Sequence, residues 1–424
     1  MKAAPVRSLG IVPAIILSMG AAGGAHAAGF QLLEQSASGL GNAYAGSAAI
    51  AQDASTIFYN PAGMIKLDGI NVSGGVNAIR PSFKFGNDGS TGPGGLWPVG
   101  TNTGGDAGSW GLVPNLYGSW RINPDWAVGL GIGAPFGLMT EYDDDWIGRF
   151  HSTKFSIESI NINPSVAYRV SDRLSIGAGL NWMHLDADYR RAAMLGPMGP
   201  EGRAGVKMNG DGWGWNVGML YDITPDTRIG LSYRSAVKMD VDGDTKVYGP
   251  GPVGVLMRAD AETSVKLPDT ATLSFTHNLN DRWQLLADVS WTGWSKIESL
   301  DIYNSGPVPD DSLDLKFRDT WRIALGANYR ASEKWTLRGG IAWDQSPVRD
   351  AEHRPTSLPD NDRYWVSVGA RYNFSERASI DVGYAHLFVK DTDINNNAGP
   401  SKGTVRGDYS SNANIVGVQV SYRF

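Results

Sequence analysis

Three closely spaced basic residues are the first candidates for ligand chemistry. Lys316, Arg318 and Arg322 all have even numbers, so an uninterrupted extended chain would point their side chains to one face. A buried cation needs an opposite charge, and a ligand carboxylate is one such charge. Arg322 also has carboxylates nearby in the chain, so we interpret it as structural, and Lys316 and Arg318 as candidate contacts for a ligand carboxylate. The carboxylates that we consider for Arg322 are Asp319, Asp344 and Asp362.

A second charged group combines two acids and a base in one short stretch. Asp360, Asp362 and Arg363 follow a Pro, and an aromatic pair follows them. Opposite charges at this spacing form charge-assisted hydrogen bonds. We interpret the group as a polar network that joins two parts of the fold, rather than as a catalytic constellation.

Nucleophilic catalysis would need a Ser or an Asp that is activated by a His. The His residues after position 27 belong to no Ser-containing motif that indicates such a pair; they are His151, His184, His277, His353 and His386. The chain has no Cys, which excludes thiolate metal sites and disulfides. The sequence therefore predicts no enzyme, no metal site and no cofactor. Because triads assemble from distant segments, a lipase or an acyltransferase is kept as an alternative.

Short polar turns divide most of the chain into pairs of extended segments. Six of them place Asn, Ser or Thr one or two residues before an acid, and such side chains favour tight turns through local hydrogen bonds. The turns are residues 122–126, 170–174, 223–227, 279–283, 331–335 and 374–378. Their intervals are too irregular for a solenoid or a propeller, and each interval fits two strands and one long loop.

The segments beside these turns alternate between apolar and polar residues. Residues 174–182, 321–329 and 416–424 carry apolar or aromatic side chains at every second position, with mostly small or polar residues between them. This period of two indicates strands with one apolar face. Aromatic residues cluster beside the turns, as expected at a membrane interface: Trp120, Trp126, Tyr168, Tyr221, Trp283, Tyr329, Trp335 and Tyr372. A soluble β-sandwich explains the alternation but not the aromatic belt.

These patterns predict an all-β fold, a transmembrane antiparallel β-barrel of about 14 strands. Six turns join twelve strands, one strand near residues 70–85 precedes them and one ends the chain, so both chain ends face the periplasm. The outer loops are expected near residues 86–109, 143–152, 190–211, 240–261, 300–314, 346–360 and 391–410. The net charge of −6 argues against nucleic acid as a partner.

The N-terminus predicts export, and together with the barrel it predicts the outer membrane of a Gram-negative bacterium as the location. Lys2 and Arg7 accompany a short apolar run at residues 9–19, and Ala25-His26-Ala27 fits a signal-peptide cleavage site. The run is shorter than the ~20 apolar residues of a spanning helix. The predicted domains are a signal peptide at 1–27, a hatch or plug inside the lumen at 28–69, and the barrel at 70–424.

The predicted hatch bears directly on function. Residues 28–42 and 58–63 are too polar and Gly-rich to span a membrane, and too apolar for a solvated tail. Placed before a barrel, such a segment is best interpreted as a plug that prevents free diffusion of solutes. The sequence therefore predicts selective uptake. A general porin is the rival interpretation, and it gives no reason for a plug.

The chain resembles the FadL/TodX family of outer-membrane transporters over essentially its whole mature length. The residues that carry the resemblance are 28–32, 38–44, Asn60-Pro61-Ala62, 137–142, 319–326, 346–348 and 358–365. The resemblance implies uptake of hydrophobic molecules by a monomer without an energy source. Long-chain fatty acids are the default substrate, and aromatic or aliphatic hydrocarbons are the alternative. Tyr422-Arg423-Phe424 looks like the signal read by the barrel-assembly machinery, which is general to such barrels.

The same family implies a route for the ligand, from outer loops to a pocket and then sideways through a kinked third strand. Phe30, near the start of the hatch, either fills and leaves the pocket or simply anchors the hatch. Pro135 cannot donate a ladder hydrogen bond and Gly137 packs poorly, so the third strand is expected to bulge or break around Phe136. The resemblance favours a gate there over an ordinary bulge.

Two predicted outer loops are unusually apolar. One contains Met194 and Leu195, and the other contains Val255 and Leu256. Exposed apolar patches often mark contact sites. We predict that the two loops form a groove for ligand capture, pack on each other, or both. Elsewhere the outer surface is expected to face outer-membrane lipid and lipopolysaccharide.

Overall fold

The computed structural model of the protein describes residues 29–196 and 199–424. The predicted signal peptide and Ala28 lie outside the described residues. The strands are β1 (Ile70–Asn87), β2 (Gly111–Arg121), β3 (Trp126–Gly133), β4 (Gly137–Glu141), β5 (Lys154–Arg169), β6 (Leu174–Met194), β7 (Glu201–Asp222), β8 (Thr227–Arg234), β9 (Val237–Tyr248), β10 (Val255–Leu267), β11 (Thr270–Asn278), β12 (Trp283–Thr292), β13 (Ser299–Asn304), β14 (Asp311–Asp314), β15 (Thr320–Arg330), β16 (Trp335–Asp344), β17 (Arg363–Asn373), β18 (Ala378–Val389), β19 (Thr392–Asn397) and β20 (Thr404–Arg423).

In the described part of the chain these segments build one closed antiparallel barrel of fourteen strands. Six barrel strands consist of two consecutive segments: β3 with β4, β8 with β9, β10 with β11, β12 with β13, β14 with β15, and β18 with β19. The last strand closes the barrel by pairing with the first, from Asn71 opposite Arg423 to Asn87 opposite Gly407. The predicted fold class is confirmed.

All six predicted turns join consecutive strands at the predicted positions. In the first turn the Oδ1 of Asn123 accepts the N–H of Trp126 at 2.9 Å, where β3 begins. In the fourth turn the Oδ1 of Asn280 accepts the N–H of Trp283 at 3.0 Å. The polar side chains therefore fix the turns by the local hydrogen bonds that their types favour.

The outer face of the barrel carries the predicted aromatic belt beside these turns. Trp126 and Tyr168 pair across adjacent strands with ring centroids 4.6 Å apart, and Trp283 and Tyr329 do so at 4.7 Å. A second belt, not predicted from the sequence, lies toward the other end of the strands; it includes the exposed Trp110, Trp213, Trp215, Trp321 and Tyr364. Two such belts mark the two interfaces of a membrane.

Four of the predicted outer loops are wrong in extent. β6 continues to Met194 and β7 begins at Glu201, so most of the predicted loop at 190–211 is strand. The predicted loop at 240–261 is likewise mostly β9 and β10. The predicted loop at 300–314 is mostly β13 and β14, and the one at 391–410 is mostly β19 and β20. The barrel wall therefore extends well beyond the outer aromatic belt.

In this extension the alternation of β6 reverses its sense. Asp186 and Arg190 point outward and are exposed, whereas Leu185 and Tyr189 point inward and are buried. Nearer the turns, the outward residues are apolar and meet lipid. The cause of the reversal is the change of surroundings. The outer face of the extension meets water instead of lipid, and its inner face can bury apolar side chains.

The N-terminal residues 29–69 form the hatch inside the barrel. It contains the short helices α1 (Ala37–Leu40) and α2 (Thr56–Tyr59) and a 3-10 helix (Pro61–Lys66). Two further 3-10 helices lie between strands, at Pro93–Gly95 and Trp294–Lys296. None of the helices in the described ranges is long and apolar enough to cross a membrane.

The hatch packs apolar side chains against the wall and forms hydrogen bonds between its backbone and polar side chains of the wall. The N–H of Ala37 donates to the Oε1 of Gln419 at 3.1 Å, and the N–H of Gly46 donates to the Oδ1 of Asp288 at 2.7 Å. A buried backbone group without a partner costs free energy. The inward polar residues of the strands therefore satisfy a segment that has little regular structure of its own.

Candidate functional site

An apolar cavity lies inside the outer part of the barrel, beside the start of the hatch. Its free volume is about 70 Å³, well below the ~300–1,000 Å³ of pockets that hold small-molecule ligands. Its lining includes the inward residues of the strand extensions, such as Leu185, Met208, Val241, Val265 and Leu300. The cavity is too small for a long ligand in this conformation, so binding requires some of its lining to move.

Phe30 of the hatch both lines the cavity and packs against the wall. Its ring meets Trp294 edge to face with centroids 4.8 Å apart and lies 6.0 Å from the ring of Phe136. Aromatic pairs of this kind add about 0.5–1.5 kcal/mol beyond the burial of their area. In this conformation Phe30 therefore fits both alternatives considered for it, a side chain that fills the pocket and an anchor for the hatch.

The third barrel strand is broken at the predicted place. β3 ends at Gly133 and β4 begins at Gly137, and both pair with β5. The hatch pairs with the residues between them. The N–H of Leu32 donates to the O of Pro135 at 2.8 Å, and the N–H of Gly137 donates to the O of Phe30 at 2.9 Å. The start of the hatch thus acts as an added strand segment at the gap.

Side chains satisfy the remaining backbone groups of the gap. The Nε2 of Gln35 donates to the O of Ala134 at 2.8 Å, and its Oε1 accepts the N–H of Ala134 at 3.2 Å. The hydroxyl of Ser159, on β5, accepts the N–H of Phe136 at 3.0 Å and donates to its O at 2.6 Å. The wall is closed here by the hatch and not by a continuous ladder.

Asp360 joins the first described residue of the hatch to the wall. Its Oδ2 accepts the N–H of Gly29 at 3.1 Å and the hydroxyl of Ser346 at 2.7 Å. The Nη2 of Arg363 donates to its other oxygen at 2.6 Å, and Asp362 accepts the N–H of Ser346 at 3.0 Å. The charged group at 360–363 therefore lies where the hatch meets the barrel.

Asn60-Pro61-Ala62 holds the end of the hatch against β6 and β7. The side chain of Asn60 accepts the N–H of Ala62 at 3.1 Å and so caps the 3-10 helix. The motif fits because two inward wall residues are Gly. A Cβ on Gly218 would lie 2.0 Å from the Oδ1 of Asn60, and one on Gly177 would lie 2.4 Å from the N of Ala62.

Arg322 points inward, as its alternation predicts, and is buried. Its Nη2 donates to the O of Ala43 in the hatch at 2.7 Å, and its guanidinium lies 5.2 Å from the centre of the Trp365 ring. Of the carboxylates considered as partners, Asp344 is its cross-strand neighbour. Arg322 therefore has a structural position between hatch and wall.

The prediction that Lys316 and Arg318 share the inward face of Arg322 is wrong. The chain between β14 and β15 is not extended, because Lys316 has a φ of +41°. The cavity is instead lined by the residues beside it, Leu315 and Phe317. One residue in the left-handed region is enough to reverse the parity.

Both of these basic side chains have protein partners outside the apolar cavity. The Nζ of Lys316 is 2.9 Å from the Oδ2 of Asp314 and 3.3 Å from the Nε2 of His353. The Nε of Arg318 donates to the O of Ser346 at 3.1 Å. Neither residue is among those that line the cavity.

The four apolar residues predicted in outer loops do not line the cavity either. Val255 and Leu256 are about half exposed, at 49% and 51%. Met194 is half-buried at the end of β6, and Leu195 packs against a small cluster that contains Val247. The two hairpins therefore pack together in part, as one of the alternatives supposed.

A charged cluster near the outer end of the cavity was not predicted. The Oδ2 of Asp311 lies 2.8 Å from the Nε of Arg191, and its Oδ1 lies 2.5 Å from the Nζ of Lys402. Lys402 also lines a polar cavity of about 620 Å³ together with His151. Since these residues are far apart in sequence, no local motif indicates the cluster.

The groups of this cluster differ in charge. Burial, helped by Lys402 and Arg191, lowers the pKa of His151 to about 4, so the imidazole is uncharged at neutral pH. Burial alone would raise the pKa of Asp311, but Arg191 and Lys402 hold it below its ordinary value. The cluster therefore combines two cations with one carboxylate.

Comparisons with known proteins agree with this architecture. Residues 18–424 match the family described as outer membrane protein transport protein (OMPP1/FadL/TodX). The chain is 35% identical to a long-chain fatty acid transport protein of Escherichia coli O6:H1, over 86% of this chain and 87% of that protein.

Solved structures show the same fold. A Pseudomonas aeruginosa FadL homologue superposes with a TM-score of 0.85 at 27% identity, over 94% of this chain and 100% of the other. The Pseudomonas putida toluene transporter TodX shares the fold, with a TM-score of 0.71 at 18% identity, over 94% of this chain and 100% of the other.

A closed barrel with two aromatic belts, a hatch in its lumen and an apolar cavity beside the hatch defines an outer-membrane channel for hydrophobic molecules. The chain belongs to the OMPP1/FadL/TodX family of outer membrane transport proteins. It is a transport protein of the Gram-negative outer membrane, not an enzyme, and its substrates are hydrophobic.

Proposed function

We propose that this protein takes up long-chain fatty acids by passive diffusion and releases them sideways at the broken third strand. The observation that carries the proposal is that one hatch segment, residues 30–35, contacts both the apolar cavity and the gap in the wall. It lines the apolar cavity through Phe30 and fills the gap in the wall through Leu32 and Gln35. Movement of this segment enlarges the cavity and opens the wall together.

Binding in the cavity is driven by burial of the acyl chain, worth about 0.8 kcal/mol per CH₂ group. The present free volume of about 70 Å³ holds only a small part of such a chain. The ligand therefore displaces Phe30, whose contacts with Trp294 and Phe136 are lost in exchange. This exchange couples ligand binding to movement of the hatch without an external energy source.

The gap opens toward the lipid. Leu130 on β3 and Val166 on β5 lie on the periplasmic side of the gap, and both are exposed on the outer face, within the apolar band of the barrel. An apolar chain that passes between β3 and β4 therefore enters lipid directly and avoids the polar periplasmic end of the hatch.

The choice of a fatty acid over a hydrocarbon has two supports. The relative from Escherichia coli at 35% identity is named for long-chain fatty acid transport. The two cations near the outer end of the cavity, Arg191 and Lys402, suit a carboxylate. Uptake of aromatic or aliphatic hydrocarbons is the second candidate, favoured by the apolar lining beside Phe30.

Calorimetric titration of the refolded barrel with oleate and with toluene tests the substrate class. We expect oleate to bind more tightly, and Lys402→Gln to weaken oleate binding while leaving toluene binding unchanged. Lys334→Gln, in a periplasmic turn, is the matched control. Toluene binding without oleate binding moves the assignment to hydrocarbons. If neither binds, a porin becomes the better interpretation, and bilayer conductance tests it.

A further inference from the structure

Three extracellular elements meet at one carboxylate. Asp311 begins β14, in the hairpin that it forms with β13; Arg191 is on the extension of β6, and Lys402 precedes β20. The side chains of Asp311 and Lys402 are 8% and 7% exposed, and that of Arg191 is 19% exposed. Two cations and one anion are thus held together largely away from water, which leaves one positive charge in excess.

An excess buried charge is costly unless another group balances it. Among the described residues, Asp311 is the carboxylate that pairs with Arg191 and Lys402. Asp314 and Glu352 line the same polar cavity as Lys402, and Asp314 pairs with Lys316 at 2.9 Å. The Nε2 of His151 donates to the O of Gly403 at 3.1 Å, and Tyr189 donates its hydroxyl to the O of His151 at 2.5 Å. Both are neutral near pH 7, because burial lowers the pKa of His151 to about 4 and a Tyr hydroxyl ordinarily ionises only near pH 10.

The cluster lies where the polar and the apolar cavities meet. Lys402 and Ser312 line the polar cavity, and Tyr189 lines the apolar one. Leu313 and Pro355 line both. Arg191 and Asp311 line neither cavity themselves, but a carboxylate beside Lys402 can extend its alkyl chain past Leu313 and Pro355 toward Phe30.

The same carboxylate also holds the hairpin in place. β13 pairs with β10 at two positions, Ala261 opposite Asn304 and Glu262 opposite Tyr303, and a few further hydrogen bonds join them, such as that from the hydroxyl of Thr263 to the O of Asp301 at 2.6 Å. The ion pairs of Asp311 connect the other strand of the hairpin to β6 and to the segment before β20. Leu300 and Leu313, on the two strands, line the cavity, so the hairpin forms part of its outer wall.

We propose that Arg191 and Lys402 form a binding site for the carboxylate of an acyl ligand, and that Asp311 occupies this site as an internal competitor when no ligand is bound. A ligand carboxylate replaces the Asp311 carboxylate on the two cations. Asp311 then turns to solvent, and the β13–β14 hairpin loses its ties to β6 and to the segment before β20. Head-group binding thereby loosens the wall of the cavity that receives the tail. This inference rests on the proposed function, since it requires an anionic amphiphile as ligand.

The substitution Asp311→Asn distinguishes an internal competitor from a structural residue. A substitution that removes two ion pairs is expected to weaken a site if the residue is only structural. Here it removes the competing anion and leaves two cations available, so oleate should bind about tenfold more tightly or better, given the strength of charged hydrogen bonds. Oleyl alcohol, which has the same chain and no charge, should bind with unchanged affinity.

The experiment titrates the full barrel, purified in detergent, with oleate and with oleyl alcohol. It compares the wild type with Asp311→Asn, with Lys402→Gln and with the control Asp310→Asn, an exposed neighbour in the same hairpin loop. Lys402→Gln should lose oleate affinity by about tenfold and keep its affinity for oleyl alcohol. Asp310→Asn should match the wild type. Circular dichroism and heat-modifiable gel mobility verify that each variant is a folded barrel.

The outcomes separate the two proposals. If Asp311→Asn leaves the ratio of oleate to oleyl alcohol affinity unchanged, or lowers the affinity for both, Asp311 is a structural tie and the inference is overturned while the proposed function stands. If the wild type binds neither amphiphile, the proposed function fails and the inference fails with it. A rise for oleate alone supports both.

Discussion

The side-chain amide of Gln35 pairs with the backbone of Ala134, donating to its O at 2.8 Å and accepting its N–H at 3.2 Å. A residue of the hatch thereby takes the place of a strand neighbour in the barrel wall. Because Ala134 precedes the Pro that interrupts the third strand, its backbone groups would otherwise be unsatisfied. The integrity of the wall at this point depends on the position of the hatch.

Gln35→Ala should loosen the hatch at the gap without unfolding the barrel. The change removes three hydrogen bonds, two to Ala134 and one to the O of Leu32, and leaves buried backbone groups unpaired, which costs about 1–3 kcal/mol. We expect faster hydrogen exchange at the amides of Leu32 and Gly137, measured by mass spectrometry. Gln345→Ala is the control, since Gln345 bonds the backbone of Trp321 away from the hatch. Unchanged exchange at both amides would show that Gln35 does not hold the segment.

Phe30→Ala should increase the affinity for oleate by about tenfold. The wild-type ligand must displace Phe30 and lose its two aromatic contacts, worth about 0.5–1.5 kcal/mol each, whereas the variant has no ring to displace. Phe58→Ala, elsewhere in the hatch, is the matched control, and titration calorimetry gives both affinities. Weaker oleate binding in Phe30→Ala would mean that the ring contacts the ligand and stays in place.

A disulfide between hatch and wall should stop transport. Gln31 and Phe136 form an isolated antiparallel bridge, and the Cα separation of such pairs, ~4.5–5.5 Å, suits a disulfide. The chain has no Cys, so Gln31→Cys with Phe136→Cys introduces a unique pair. Oleate uptake by cells should fall to background when the pair is oxidised and return with reductant.

The control for this cross-link joins two wall strands. Ser73 and Ser421 are cross-strand partners in β1 and β20, with their hydroxyl oxygens 2.9 Å apart. Cys at both positions should leave uptake unaffected under oxidising conditions. If uptake persists with residues 31 and 136 cross-linked, transport does not require the hatch to move away from the gap.

Gly218→Ala should displace the end of the hatch and make the barrel leaky. The added Cβ would lie 2.0 Å from the Oδ1 of Asn60, and overpacking of this kind costs about 1–3 kcal/mol. Single-channel conductance in planar bilayers should rise from a closed baseline to frequent openings. Gly339→Ala is the control, because a Cβ there meets nothing within 4 Å. A silent Gly218→Ala channel would show that the hatch tolerates the shift.

The barrel was predictable because its signals are local and repeated. Each turn carries its own hydrogen-bonding residue, such as Asn123 or Asn280, and each strand carries its own alternation. The break at Pro135 was also predictable, since Pro lacks the donor that a ladder needs. None of these features depends on contacts between distant parts of the chain.

The sequence does not place the cavity correctly, because parts of the strands around it fall in segments that are predicted to be outer loops. The alternation in β6 continues past the membrane with its sense reversed, and Leu185 and Tyr189 point inward there. A test for alternation with a polar outer face would have found this extension. The predicted inward orientation of Lys316 is wrong for another reason. Lys316 itself adopts a left-handed backbone conformation, and no feature of the sequence indicates this. The partners of Asp311 were hidden because they come from three separate segments.

The outer end of the protein should lose stability as the pH falls from about 7 toward 4. The folded protein holds His151 uncharged, with a pKa of about 4, whereas an opened segment returns it to an ordinary value near 6.5. Between these values the opened form binds a proton that the closed form does not, so acid favours opening. The difference is about 2 kcal/mol at pH 5.

Hydrogen exchange of residues 142–153, compared between pH 7 and pH 5 after correction for the intrinsic rate, measures this effect. His151→Gln keeps a group that can hydrogen-bond the O of Gly403 but does not titrate, so its exchange should lose most of the pH dependence. The charges that face His151 remain constant in this range, because Lys402 and Arg191 stay protonated and Asp311 stays ionised. An equal pH dependence in the wild type and in His151→Gln would assign the effect to another group.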